Sequence, residues 1–430
     1  MFIVPEITSY LDRQWNLAVN AGECDGIPVK TMMNGSCTVQ ELPIFEYRDY
    51  LLKQAYEIES ALDAFAWAPL WSQELAGNGL LYDLTELAED PVLTTDDTRN
   101  GLLFDYFPSY LEYAAWFQYD LSAPGMSKTS KLLALPATHT GITQLCYRKD
   151  FFEKYGLRPP CTWEEFARIV QEYTDPKQGI YGTVFPGKRS GLFPVLNWFA
   201  TLTSMGGVQM VGTPGEKNMC STMSSEIGMD AYIFWQSLLR FMPPESSAMD
   251  VVDAAQALES GRVLMLINVS SFVFPNRFYR PENFDKIGFS SLPGIGSYAG
   301  TGYGGGWSWS IPANARNPRG SWQLIQHLCS SEADRYKCIH YGLTPARRST
   351  FNDPDVLQAQ PWLYNMQSVM ERSTAPAYFY IPQAFEIAQE INKWLIPGIL
   401  STEPETSCLR GLDAQINACL QQNNWRRAIG

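Results

Sequence analysis

The chain has 430 residues, 45% of them hydrophobic and 18% charged, a balance that fits a globular protein and not a disordered one. That length exceeds one ordinary hydrophobic core and makes two lobes the default. A net charge of −13 disfavours nucleic acid and anionic membrane surfaces, which both call for clustered Lys and Arg, and leaves a neutral small molecule as the most compatible partner.

In chain order, the opening Met1-Phe-Ile-Val-Pro-Glu has neither the basic nor the apolar part of an export signal. Residues 7–22 read as a helix, and the strand expected before it is missing, shortened to Phe2-Ile3-Val4 or lost upstream. Leu133, Leu135 and Pro136 end an apolar run, Thr138-His139-Thr140-Gly141 interrupt it, and Ile142, Leu145 and Tyr147 begin a second strand. Pro159 and Pro160 stop one helical piece. Thr162-Trp163-Glu164-Glu165 predicts a capping box, with the Thr162 hydroxyl on the amide three residues on and Glu165 reaching back. A helix follows over 163–173, a short strand over 180–185, and a helix over 192–205 that Gly206 and Gly207 end. Helices are expected over 227–241 and 253–259, a strand over 263–267, and helices over 319–328, 332–341, 383–395 and 408–422. The alternation predicts an α/β fold with parallel or mixed sheets and helices on both faces. No repeat, low-complexity segment or long Gly/Ser linker is visible, so short strands join the lobes, as a hinge requires.

The apolar stretch 263–274 is broken by Asn268, Ser270 and Ser271 and is too short to span a bilayer. Nine cysteines is an odd count, so at least one is unpaired or pairs between chains. A Cys24–Cys37 disulfide is open in an oxidising compartment, and buried free thiols are the reading for most of the others.

The segment LALPATHTGITQLCYRKDFFEKYGLRPPCTWEEF, residues 133–166, resembles the crossover of extracellular solute-binding proteins of ABC importers, the sugar-binding, maltose-binding-protein-like family. Further landmarks keep the family's order: Asp63 to Trp67 as an early ligand loop, Gly261-Arg262-Val263-Leu264-Met265 as a strand, Lys286-Ile287-Gly288-Phe289 to Leu292-Pro293-Gly294 as a second crossover. Gly305-Gly306-Trp307 to Ile311-Pro312-Ala313 and Gly342-Leu343-Thr344-Pro345 complete the series, over roughly residues 44 to 420. The resemblance implies a two-lobed periplasmic-binding-protein (Venus-flytrap) fold with interleaved lobes. One lobe would use 1–138 plus 294–331 and the other 139–293 plus 332–430.

Candidate contacts combine residue chemistry with that resemblance. Indole faces suit sugar rings, so Trp67 and Trp71 are candidates, although their spacing also fits one buried helix face. Asp63 is a ligand contact or a cap. His139 and Thr140 stand at the hinge, where a neutral imidazole can bond a ligand hydroxyl. Lys188 and Arg189 lie either at the cleft mouth or in a solvated basic turn; Gly182 to Arg189 mimics a phosphate loop but ends in Arg and contains Pro186. Gly300 to Gly305 matches a dinucleotide fingerprint, yet a strand-like Trp307-Ser-Trp309 follows where a helix is needed. The family resemblance instead makes Gly305 and Gly306 a close-approach site beside Trp307. Asn197, Trp198, Asn268, Ser271 and Tyr378 are further candidates, with core packing as the competing reading. Val269-Ser270-Ser271-Phe272 stands where many members carry Gly-x-Trp, which weakens a maltodextrin-type stacking site.

Three widely spaced histidines make no conventional metal site, no cofactor is implied, and no nucleophile or zinc-protease motif occurs. The expected function is capture of a sugar, oligosaccharide, polyol or glycoside by hinge closure, with delivery to an importer's permease subunits. The expected protein is a periplasmic or extracellular monomer and not an enzyme. A carbohydrate-processing enzyme and a receptor-docking sensor on the same fold are the alternatives.

Overall fold

The computed structural model describes residues 44–421 except 56, 59, 61, 118–130, 139–142, 189–192, 213–217, 270–284, 303–304, 373–376 and 402–403. The expected first strand and 7–22 helix, Cys24, Cys37, His139, Thr140, Arg189 and Ser271 lie outside the described residues. Two three-stranded sheets carry the described fold. Their strands are β1 (Phe65–Trp67), β2 (Leu135–Thr138), β3 (Thr143–Arg148), β4 (Met265–Val269), β5 (Ile287–Ser290) and β6 (Trp307–Ser310). One sheet has the order β1-β6-β2 and the other β4-β3-β5. Each central strand has just crossed from the other sheet. It therefore runs against both neighbours, while those neighbours run parallel to each other. Two sheets exchanging strands through two crossovers make a two-lobed α/β protein.

The helices used below are α1 (Ile44–Ala55), α2 (Ser72–Gly77), α3 (Pro108–Ala114), α4 (Trp163–Tyr173), α5 (Phe193–Ser204), α6 (Glu226–Ser237), α7 (Val251–Glu259), α8 (Pro318–Leu328), α9 (Ser331–Tyr341), α10 (Ala384–Ile399) and α11 (Glu405–Gln421). At α4 the Thr162 hydroxyl accepts the Glu165 amide at 3.2 Å, as expected. Glu165 reaches back one residue further than a capping box, to the Cys161 amide at 2.8 Å. Helix α7 begins two residues before the expected start. Asp250 accepts the Val252 and Asp253 amides, and Asp253 accepts the Asp250 amide, so two carboxylates close a capping box there. The expected strand over 180–185 is reduced to single bridges, Asp175 with Ile180 and Tyr181 with Val263. Gly182 is pressed against the backbone of Val170, where a Cβ would stand 2.5 Å from the Val170 Cα, and Pro186 and Gly187 follow.

The second-lobe core gathers around Trp235. Its ring lies 4.9 Å from Phe185, 6.2 Å from Phe166 and 6.4 Å from Trp163, and its Nε1 donates to Thr201 Oγ1 at 3.0 Å. A smaller cluster of Cys146, Val184, Leu258, Leu266 and Ile287 forms a second apolar core. The turn at 221–224 is held by Asp413 of α11. Its carboxylate accepts the Met223 amide at 2.8 Å, the Ser224 amide at 3.0 Å, and the hydroxyls of Ser221 and Ser224.

The helices beside the first sheet are tied by Arg347, which is buried and 4.7 Å from the Tyr106 ring. It donates to Asp97 at 3.0 Å, to Asp105 at 3.3 Å and to the Cys329 carbonyl at 2.9 Å. Buried Lys337 donates to the Ala137 carbonyl in β2 and, at 3.3 Å, to the Leu328 carbonyl that ends α8. A cation at a helix C-terminus is favourably placed. Helix α10 contacts both α1 and α6. Phe385 near its start lies 4.1 Å under the Arg48 guanidinium, and Gly398 near its end packs against Tyr232 of α6. Cys146, Cys161, Cys220, Cys329, Cys338, Cys408 and Cys419 form no disulfide with one another. Burial pushes the Cys329 thiol up to about 12.

Candidate functional site

Both crossovers leave the sheets at one end. Strand β2 stops at Thr138 and β3 starts at Thr143, while β5 stops at Ser290 and β6 starts at Trp307. Gly302, on the second crossover, lies so close to the start of β3 that a Cβ would stand 2.8 Å from Thr143 Oγ1. The residues that begin β3 and β6 therefore lie together at the crossover end of the two sheets.

On the first-lobe side the focus is Trp307. It pairs with Thr138, and a register shift between Trp307 and Ser308 breaks the ladder at that point. Such a bulge re-aims a side chain at the end of a strand. Gly305 and Gly306 before it are buried, whereas Trp307 itself is half-buried. Its backbone is fixed from α3, because the Tyr110 hydroxyl donates to the Trp307 carbonyl at 3.0 Å. Its ring meets the edge of Trp71 at 6.3 Å and 85°. An indole held this way offers an apolar face beside the hinge.

Several expected contacts are placed elsewhere. Trp67 is a core residue: it is 2% exposed in β1, and its Nε1 donates to Ser310 Oγ at 2.5 Å, which in turn donates to the Leu133 carbonyl. Trp71 is equally buried and supports Trp307 from behind. The two indoles do not share a helix face, since Trp67 ends a strand and Trp71 ends the short 3-10 turn Pro69–Trp71. Asp63 is exposed at the bend before β1. Tyr378 is 1% exposed and packs edge-on to Phe379 at 5.3 Å.

Lys188 belongs to the local fold. Its amide donates to the Met249 carbonyl at 3.0 Å, and its Nζ pairs with Asp250 at 3.0 Å. The Asp250 hydrogen bond raises the lysine above its ordinary value. Burial opposes ionisation of Asp250, but the Asp253 amide and Lys188 outweigh it and hold that carboxyl below its usual range.

The second lobe presents a different picture. Asn197 and Trp198 are fully buried on α5, and Asn197 Nδ2 and Trp198 Nε1 have no hydrogen-bond partner. Asn268 pairs in register with Gln144 at the crossover end of the second sheet. Gln144 and Thr183 are buried with unpartnered side-chain atoms too. Sequence reasoning did not single out Gln144, Thr183 or Tyr110. Gln144 sits inside the run Thr143-Gln-Leu-Cys-Tyr and reads as one polar position of a strand; the signal was a carboxamide where alternation predicts an inward side chain. Among the described residues no group of three or more His, Cys, Asp or Glu is arranged to hold a metal. No helix among them is long and apolar enough to cross a membrane.

Comparison with known proteins adds to this geometry. The model of the bacterial extracellular solute-binding proteins matches residues 57–335. A probable ABC transporter-binding protein of Deinococcus radiodurans is 26% identical over 256 residues, which cover 57% of this chain and 58% of that protein. A mannitol-binding protein of Pseudomonas aeruginosa is 27% identical over 249 residues, covering 55% of each. The chain thus spans little more than half the length of these curated relatives. A solute-binding protein of Thermotoga lettingae, solved with α-D-tagatose, superposes with a TM-score of 0.76 at 20% identity over 96% of both chains, which shows a shared fold.

Proposed function

Because the chain belongs to the bacterial extracellular solute-binding protein family, we propose that it captures a small carbohydrate between its lobes by hinge closure. Polyols and short sugars are the leading class. The loaded protein then docks on the permease subunits of an ABC importer, outside the cytoplasmic membrane and as a monomer. The observation that carries the reading is Trp307: a half-buried indole with a fixed backbone, after two buried glycines and beside the first crossover. A sugar or polyol lays its C–H groups on such a face and turns its hydroxyls to polar partners. Contacts from both lobes exist together only when the cleft is closed, so binding shifts the population to the closed form. Within this reading Trp307, Gly305, Gly306, Asn197, Trp198 and Asn268 stay as ligand contacts, with His139, Thr140, Arg189 and Ser271 proposed from the sequence. Trp67, Lys188 and Tyr378 are withdrawn to structural roles.

The proposed lobes keep 44–138 and 294–331 together and 139–293 apart from them. Residues 334–349 join the first lobe, supported by Lys337 on Ala137 and by Arg347 on Asp97 and Asp105. Helix α10 bridges the two.

The test is a thermal-shift screen with D-mannitol, ribitol, D-tagatose and maltose, with amino acids as controls. A ligand at roughly a hundred times its dissociation constant adds about 2.7 kcal/mol of stability. Stabilisation by one or more of the four, with the compound recovered unaltered, is the expected result. Stabilisation by none, or recovery of a chemically changed sugar, contradicts the reading.

A further inference from the structure

We infer that Gln144 is a ligand-positioning residue at the cleft floor, its carboxamide bonding two adjacent hydroxyls of the bound carbohydrate. The inference rests on the carbohydrate reading above and adds to it a residue and a recognition chemistry. Gln144 is fully buried, and neither its Nε2 nor its Oε1 has a hydrogen-bond partner. A buried amide in that condition loses water on both its donor and acceptor sides, and native proteins rarely tolerate it without a compensating role.

Its position gives that role. Gln144 is the second residue of β3, directly after the first crossover, and pairs with Asn268 near the same end of β4. Gly302 of the second crossover abuts its neighbour Thr143. By strand alternation Gln144 shares a face with Cys146, which packs among Val184, Leu258, Leu266 and Ile287. The carboxamide is thus the polar group that continues an apolar face toward the junction of the lobes.

The chemistry selects a diol. A carboxamide presents a donor and an acceptor side by side, and each hydroxyl of a vicinal pair can give one bond and take one. An apolar ligand or a lone hydroxyl leaves one side of the amide unmet. A site whose buried polar groups need a substrate hydroxyl discriminates strongly against compounds that lack it.

The test compares wild type with Gln144→Met, which keeps length and removes both polar atoms, and Gln144→Leu, which removes both polar atoms with a shorter chain. The probes are D-mannitol, ribitol, D-tagatose and maltose, followed by calorimetry with whichever stabilises the wild type most. Gln144→Met is expected to melt no lower than wild type without ligand, because an unmet buried amide has been replaced by an apolar chain. Its affinity is expected to fall about tenfold or more. Gln144→Leu provides the same affinity comparison should the methionine variant not fold. Wild-type binding with unchanged affinity in the folded variant overturns this inference alone. Failure of the wild type to bind any of the four overturns the carbohydrate reading and this inference with it.

Discussion

The crossover ends of the two sheets treat their polar groups differently. In the first lobe Trp67 donates to Ser310, Ser310 to Leu133, Tyr110 to the Trp307 carbonyl and Lys337 to Ala137, while the Ser72 and Ser308 hydroxyls, Trp116 Nε1, Asn314 Oδ1 and Arg347 Nε have no partner. In the second lobe Gln144, Thr183, Asn197 and Trp198 each keep a buried polar atom with no partner. The difference separates two tasks. The first lobe supplies an aromatic platform whose strand carries bonds from Tyr110 to the Trp307 carbonyl and from Trp67 to Ser310. Under the proposed carbohydrate reading, the unpartnered donors and acceptors of the second are what a polyhydroxylated ligand completes when the lobes close.

The largest expected effect tests the rigidity of the first lobe. Arg347→Met leaves Asp97 and Asp105 without their buried cation and should cost about 3 kcal/mol, read by urea denaturation. A loss under about 1 kcal/mol would mean the first lobe is not held by this network. Next, Asp413→Ala removes the acceptor of two amides and two hydroxyls at the 221–224 turn and should cost about 2 kcal/mol. The Asp413 carboxylate makes no hydrogen bond to the unpartnered atoms of Gln144, Thr183, Asn197 or Trp198, so ligand affinity should not change beyond what the lost stability explains.

Trp307→Ala sharpens the comparison from the ligand's side. It should weaken binding about tenfold, or about 1.4 kcal/mol, with a smaller change in stability because the ring is half-buried. Trp67→Phe should do the reverse, costing about 1 kcal/mol of stability for the lost Ser310 bond and leaving affinity intact. Equal affinity losses in both variants would erase the distinction between platform and core.

The smallest effect is acid dependence. The Asp250 carboxyl is held below its ordinary value of 3.8, so its contribution is present above that value and lost as pH falls through the lower folded one. Asp250→Asn should flatten the acid limb of the stability curve there and leave neutral-pH ligand affinity unchanged.

Much of the fold was legible because it rests on local signals. Thr162 caps its helix where the sequence places the cap, and helix α4 spans the expected residues. Local signals misled where two readings shared one pattern. Asp250 and Asp253 both suit a helix start, and the earlier one caps. Residues 180–185 carry β-branched and aromatic side chains, but Gly182 must pass close to Val170, and Pro186 lacks an amide for a ladder. Site residues were harder to read. Trp67 and Trp307 are the same residue type at family landmarks, and burial together with the partner of the Trp67 Nε1 assigns that ring to the core. Lys188 looked free for a ligand until Asp250, 62 positions away, was seen to hold it. Gln144 was hidden because an unmet hydrogen bond is a property of surroundings, which no single position in a sequence displays.

Small-angle X-ray scattering with and without saturating D-mannitol, ribitol, D-tagatose or maltose tests most directly the claim that a carbohydrate is captured between closing lobes. The account predicts a smaller radius of gyration with at least one of them, together with a thermal shift from the same compound. A compound that stabilises the protein and leaves the radius of gyration unchanged would contradict capture by hinge closure.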